Sequence, residues 1–425
     1  MDRTTHSSSS ANFQVVGRPR GTKPACGRGE QVVNVSRRSS AGHARAGPHR
    51  AASRTAAWAH AAAFFVLLAT LGLLATLVVG TVTASASLGA DSGVYVGPDQ
   101  QAVDWFLHSY VRPNGRVYRP DQNGDTVSEG QAYGLLLAEV SGRDRLFGQI
   151  WQWTRDHLQR RDGLFAFHAD AAGRVLSPNS ASDADLLIAW ALLRYDGPAA
   201  TRIHDDGARV ADAVLTHEVT SFGPRAIPVL TAGQWATGRP ASLDPSYWSL
   251  PALTSLASLT RNQEWLRLAR GAVAVTARLT RNGALLPPDW AEVGVNGQVR
   301  PTSAPDGSEA IPQYGLDAQR TGVWFASSCV PQAQTLAARW WRLLRSPRRS
   351  QALALHLDGA VRTSVPSVLP LVASAATAHA ANDPAASSRL LSVAVIRQHR
   401  QPRYYGGAWA ALGLTLLDSN VLTGC

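Results

Sequence analysis

The chain has 425 residues, 45% of them hydrophobic, with 13 Trp, which is enough for a sizeable core and argues against a disordered protein. The formal charge of +11 does not point to a nucleic-acid partner: residues 1–57 hold ten Arg/Lys against Asp2 and Glu30, and the remaining 368 residues carry only +3. Three cysteines, without Cys-x-x-Cys, His-Glu-x-x-His, a glycine-rich phosphate loop or Gly-x-Ser-x-Gly, give metal, nucleotide and serine-hydrolase chemistry no support, and no cofactor is expected.

Residues 1–57 are rich in Ser, Arg, Gly and Pro and lack an apolar period, so they read as a disordered basic tail on the cytoplasmic side. Residues 58–83 read as a transmembrane anchor or a signal segment. No Asp, Glu, Lys or Arg occurs from 56 to 90, and the apolar core 61–82 has the length of a bilayer-spanning helix. The basic flank comes first, which places everything after Ser85 outside the membrane. Two outcomes stay open: a single-pass protein of the cell membrane with its main domain extracellular, or secretion after cleavage at Ala84-Ser85-Ala86. Residues 84–92 form a linker.

From 93 to 425 the chain reads as helix after helix. Helical spacing is clear at 103–111, 132–140, 146–158, 184–195 and 208–218, and again at 251–259, 265–279, 332–344, 368–380 and 409–416. Gly, Pro, Asn and Asp punctuate the gaps, and alternating short strands are not expected. About a dozen helices in some 330 residues must bury one another.

Acids recur at the starts of these helices. Val127-Ser128-Glu129-Gly130-Gln131 precedes an apolar face made by Ala132, Leu135, Leu136 and Val140. Ser128 and Gln131 have capping-box spacing, which puts Glu129 in the first helical turn. Ser182-Asp183-Ala184-Asp185 repeats that spacing, and Leu316-Asp317-Ala318-Gln319-Arg320 again opens an apolar helix with an acid. Singly, each acid is explained by the helix dipole.

Together these stretches resemble glycoside hydrolase family 8. The resemblance runs from about 93 to 424 and rests on Ser128-Glu129-Gly130-Gln131-x-Tyr133, Phe147-x-x-Ile150-Trp151-x-Trp153-Thr154 and Asn179-x-Ala181-Ser182-Asp183-Ala184-Asp185-Leu186. It continues through Pro245-Ser246-Tyr247, Pro288-Asp289-Trp290, Asp317-Ala318-x-Arg320 and Tyr404-Tyr405. It implies an all-α (α/α)6 barrel over 93–425 and an inverting endo-β-1,4-glucanase that cleaves a β-glucan polysaccharide. By the same resemblance Glu129 is the general acid and Asp317 the general base. Asp185 and Asp183 would contact the sugar at the cleavage point, and Arg320, Tyr247, Tyr133 and Phe167 would complete the substrate site. A like charge, with Asp185 the candidate, would keep Glu129 protonated, while the helix start would favour the charged form of Asp317.

The likeness is to members associated with bacterial cellulose synthesis, which implies a monomer beside a cellulose or exopolysaccharide synthesis complex. Leu316, Phe167 and Asp244 depart from the family's usual residues at their positions. Two alternatives are carried: a family-8 hydrolase of another glycan, such as chitosan or an exopolysaccharide, and a catalytically silent glycan-binding protein. Cys329 and Cys425 both lie on the exported side and are expected to pair, whereas Cys26 lies in the tail.

Overall fold

The computed structural model describes residues 97–423, except positions 282, 308 and 420. The expected tail, membrane segment and linker, with Cys26 and Cys425, lie outside the described residues. No described helix is long and apolar enough to cross a membrane.

Twelve described α-helices alternate between two roles. The even-numbered ones are α2 (Ser128–Val140), α4 (Ser182–Arg194), α6 (Leu250–Leu259), α8 (Leu316–Ala326), α10 (Leu369–Ala380) and α12 (Tyr404–Leu417). These are apolar nearly all round, which only a helix covered on every side can satisfy. In α4 every residue from Ser182 to Leu193 is buried, and in α12 only Tyr405 is not fully so. They form a closed ring in which each packs on the next and α12 returns to α2. Small residues permit the close approach: a Cβ on Gly413 of α12 would collide with Val372 of α10.

The odd-numbered helices lie outside this ring. They are α1 (Pro98–Tyr110), α3 (Asp144–Leu158), α5 (Ala200–His217), α7 (Glu264–Leu279), α9 (Pro331–Leu344) and α11 (Pro384–Arg400). Each buries one stripe; in α5 it is Ile203, Gly207, Val210, Ala211 and Val214, at helical spacing. An inner ring of six and an outer ring of six make the (α/α)6 toroid that the sequence implied.

Three sequence expectations are corrected. Short strands are present: ten, in four antiparallel sheets among the described residues. They are β1 (Thr126–Val127) with β2 (His168–Ala169) and β3 (Val175–Ser177), then β4 (Val219–Phe222) with β5 (Ile227–Leu230). The others are β6 (Ala241–Leu243) with β7 (Trp290–Val293) and β8 (Val299–Thr302), and β9 (Ala352–Leu355) with β10 (Val361–Pro366). They are two to six residues long, too short to show alternation in sequence. Helix α11 was missed, because its first turn, Pro384-Ala385-Ala386-Ser387-Ser388, carries no large apolar residue. The capping boxes do not form either. The N-caps of α2 and α4 are Val127 and Ala181. Gln131 instead accepts from Val117 N and donates to Thr154 Oγ1 at 2.7 Å, and Ser182 Oγ donates to Thr231 O.

Candidate active site

The starts of α2, α4, α8 and α12 converge at one end of the ring. Glu129 is the second residue of α2, Asp183 the second of α4 and Asp317 the second of α8, so three carboxyls come from three helix first turns. One turn beyond Asp317, Arg320 sits among them with only 2% of its side chain exposed. Its Nη1 donates to Glu129 Oε1 at 2.7 Å and to Asp183 Oδ2 at 2.9 Å, and its Nη2 donates to Asp317 Oδ1 at 2.8 Å. Asp244 Oδ2 lies 3.9 Å from Nη2. Asp244 is itself held by accepting from Ser246 N and Ser246 Oγ at 2.8 and 2.7 Å.

One cation among four carboxylates leaves an excess of negative charge in a place withdrawn from water, and such charge is relieved by protonation. Burial and Glu129, against the pull of Arg320, push Asp183 up to about 7. Burial and Asp317 hold Asp244 well above the carboxylate range. Asp317 is also raised, by burial first and by facing Glu129 and Glu309, although Arg320 opposes this. The expected net lowering of Asp317 at a helix start is therefore corrected, since burial, and after it the surrounding acids, outweigh the helix start. The like charge beside Glu129 is Asp183, bridged to it through Arg320, not Asp185.

Glu129 and Asp317 are the more accessible members, with 17% and 35% of their side chains exposed. Both line a cavity of about 310 Å³. Phe167, Trp235, Tyr247 and Trp290 supply its aromatic surface, and Asp306 and Glu309 add acids from the 303–313 loop. The Tyr247 ring also lies 5.3 Å from the Arg320 guanidinium carbon, close enough for a cation–π contact.

The family model of glycosyl hydrolases family 8 matches residues 71–328 of this chain. The chain belongs to that family. Relatives and solved structures agree. A probable endoglucanase of Novacetimonas hansenii is 30% identical over 256 residues, 57% of this chain and 72% of that protein. An endoglucanase of Cellulomonas uda is 27% identical over 262 residues, 60% of this chain and 70% of the other. The solved endo-β-1,4-glucanase CMCax from Acetobacter xylinum superposes with a TM-score of 0.62 at 25% identity, covering 75% of this chain and 97% of that one.

Of the residues that the resemblance singled out, Glu129, Asp317, Arg320, Tyr247 and Phe167 line the cavity. Tyr133 and Asp185 do not. Tyr133 is 1% exposed and lies one turn below Glu129, to whose Oε1 its hydroxyl donates at 2.5 Å. Asp185 points away from the cleft: it is fully buried, accepts from Phe165 N at 2.9 Å and faces Glu218. Asp183 is buried as well and meets Arg320, so neither aspartate of α4 lines the sugar cavity. Trp248, beside Tyr247 in sequence, is core, its Nε1 donating to Leu230 O at 2.9 Å.

Sequence reasoning missed Trp235, Glu309 and Glu218. No local pattern marks them, since each acquires its role through contacts distant along the chain. Cys329 is disulfide-bonded, and its Sγ lies 3.5 Å from Thr423 O, two residues short of Cys425, which is outside the described residues.

Proposed function

We propose that this chain is an inverting endo-β-1,4-glucanase, with Glu129 as general acid and Asp317 as general base. The observation that carries the reading is the single guanidinium of Arg320 spanning two accessible carboxyls in an aromatic-lined cleft. Bridging by one planar fork limits the Oε1–Oδ1 separation to about 8 Å, a span that accommodates an inverting pair and its water. Both bonds to Glu129 fall on Oε1, from Tyr133 and Arg320, which leaves Oε2 to carry the proton given to the leaving oxygen. Asp317 keeps one oxygen anchored and the other for the attacking water. The substrate follows from the endoglucanase relatives and from aromatic faces suited to pyranose rings.

Export is part of the same reading. The basic tail, the uncharged stretch 56–90 and the small residues Ala84-Ser85-Ala86 support a domain held at the outer face of the membrane or released from it, where a nascent glucan is within reach. N-terminal sequencing of the exported protein separates the two: a start near Ser87 means release, an intact chain in the membrane fraction means anchoring.

The test is turnover of a soluble β-1,4-glucan without added cofactor. Glu129→Gln and Asp317→Asn each lower kcat by about 10²–10⁴-fold while the fold persists. The fresh product, followed by NMR, has α-configured reducing ends. Retained activity in either variant, or a β-configured product, overturns the assignment. A polysaccharide panel including chitosan decides between β-1,4-glucan and another glycan.

A further inference from the structure

Helix α8 begins at Leu316 with no side-chain cap of its own, because its N-cap is Gly315. The cap comes from elsewhere in the chain. Asp289, fully buried just before β7, accepts from Gly315 N at 2.9 Å and from Ala318 N at 2.7 Å, both through Oδ1. Its own N–H donates to Gln313 O at 2.8 Å. A Cβ at 315 would collide with Asp289 Oδ2, so glycine is required for this approach. Asp317 lies between the two amides that Asp289 holds, which makes Asp289 the tether of the base.

The other oxygen, Oδ2, is buried and finds no donor, and the same is true of Glu309 Oε2. The two carboxyls lie within hydrogen-bonding reach of each other. Two carboxylates cannot bond without a proton, and both ionised at this range would repel strongly. Glu309 is fixed through its second oxygen, which accepts from Gln313 Nε2 at 2.7 Å, and it also lines the catalytic cavity.

We propose that Asp289 and Glu309 share one proton and, as a pair, position the start of α8 and set the acid limb of the pH profile. The shared proton sits between Asp289 Oδ2 and Glu309 Oε2, so the pair carries a single negative charge. Asp289 Oδ1 remains free of that proton and caps the helix. Burial, Asp317 and Glu309 all raise Asp289, in keeping with its being the protonated partner. The groups facing Asp317 are Arg320 on its own helix, Glu129 from α2, Asp183 from α4 and Asp244 from the turn before α6. Tyr247, Tyr405 of α12 and the Asp289–Glu309 pair complete its surroundings. Within that set the pair contributes one negative charge that opposes ionisation of Asp317. Asp289 and Glu309 are thus positioning residues, acting on the reaction through the base.

The inference rests on Asp317 being the base, and the experiment keeps the two claims apart. In the full chain, Asp289→Ala removes both cap bonds and lowers kcat about tenfold or more with little change in KM, because the base is displaced while the cleft is intact. Asp289→Asn retains the Oδ1 acceptor and offers an amide donor to Glu309, so it recovers most of that loss. The double variant D289N/E309Q keeps the Oδ1 cap and the bond between the two side chains, at the expense of the one from Gln313, and removes the charge, so the acid limb of kcat/KM moves to lower pH by about half a unit or more. An infrared difference spectrum, wild type minus D289N near neutral pH, contains the carbonyl band of a buried protonated carboxyl. A folded double variant with an unmoved acid limb, or a difference spectrum without that band, overturns the pair. If Asp317→Asn stays active, the base assignment falls instead, and the infrared band still decides whether the proton is shared.

Discussion

Replacing Arg320 by Met tests the electrostatics of the site most directly. Met fills much of the same volume but supplies no charge to Glu129, Asp183 and Asp317, which Arg320 holds at 2.7–2.9 Å. Removing one partner of a buried ion cluster costs about 3–5 kcal/mol, because the remaining charges are left without compensation. For a domain of this size that is a fall in Tm of roughly 4–8 °C. The cost depends on pH, and its sign is fixed. Asp183 and Asp317 already stand above their ordinary range, and without the cation they rise further. A carboxyl raised in the folded state contributes stability at low pH and loses it as pH rises through the folded value. The variant therefore suffers less at about pH 5 than at about pH 8, a window that brackets the Asp183 value near 7. Thermal unfolding of both proteins, followed by circular dichroism at the two pH values, gives the comparison. An equal loss at both, or a larger loss at the lower pH, refutes the reasoning.

Three further outcomes are expected. Asp185 Oδ2 and Glu218 Oε2 are buried without donors, the carboxyls face each other, and burial lifts Glu218 to about 7. Wild-type stability should fall as pH rises through that value, by up to about 3 kcal/mol, and Asp185→Asn should flatten the fall; equal slopes of Tm against pH would show that no proton is shared there. Trp235, 39% exposed at the cavity wall with Nε1 donating to Ser180 O at 3.1 Å, should serve as a sugar platform, so Trp235→Ala raises KM for a soluble glucan about tenfold with kcat nearly unchanged, and an unaltered KM removes that role. Thiol labelling of the denatured, unreduced chain should mark Cys26 alone; label on Cys329 and Cys425 refutes their pairing.

Much of this molecule could be read from its residues, for reasons that also mark the limit. The inner helices show in sequence because burial on all sides demands apolar residues at every position, as from Leu186 to Leu193. Helix α5 was read from 208, whereas it starts at Ala200, because Thr201-Arg202-Ile203-His204-Asp205-Asp206 faces largely outward and gives only Ile203 to the apolar stripe. Glu129 and Asp317 are visible locally as carboxyls in helix first turns, a pattern the helix dipole alone explains, and only the family resemblance singles them out. Asp183 and Asp185 looked equivalent by the same criterion. They part only in space: two residues along a helix turn the side chain to a different side, one to Arg320 and one to Glu218. Glu218, Glu309 and Trp235 carry no local signature, since their partners Asp185, Asp289 and Ser180 lie far from them along the chain.

The closure of α12 onto α2 bears on how the protein is made. The first inner helix carries Glu129 and Tyr133; the last brings Trp409 to 5.6 Å from Tyr133 and Tyr404 against Gly130. A chain halted between Arg320 and Tyr404 already contains every acid and the arginine of the cleft, yet the wall behind Glu129 is missing. During synthesis the ring has a gap until α12 arrives. A fragment lacking the helix from Tyr404 to Leu417 is therefore expected to show no hydrolytic activity toward a glucan.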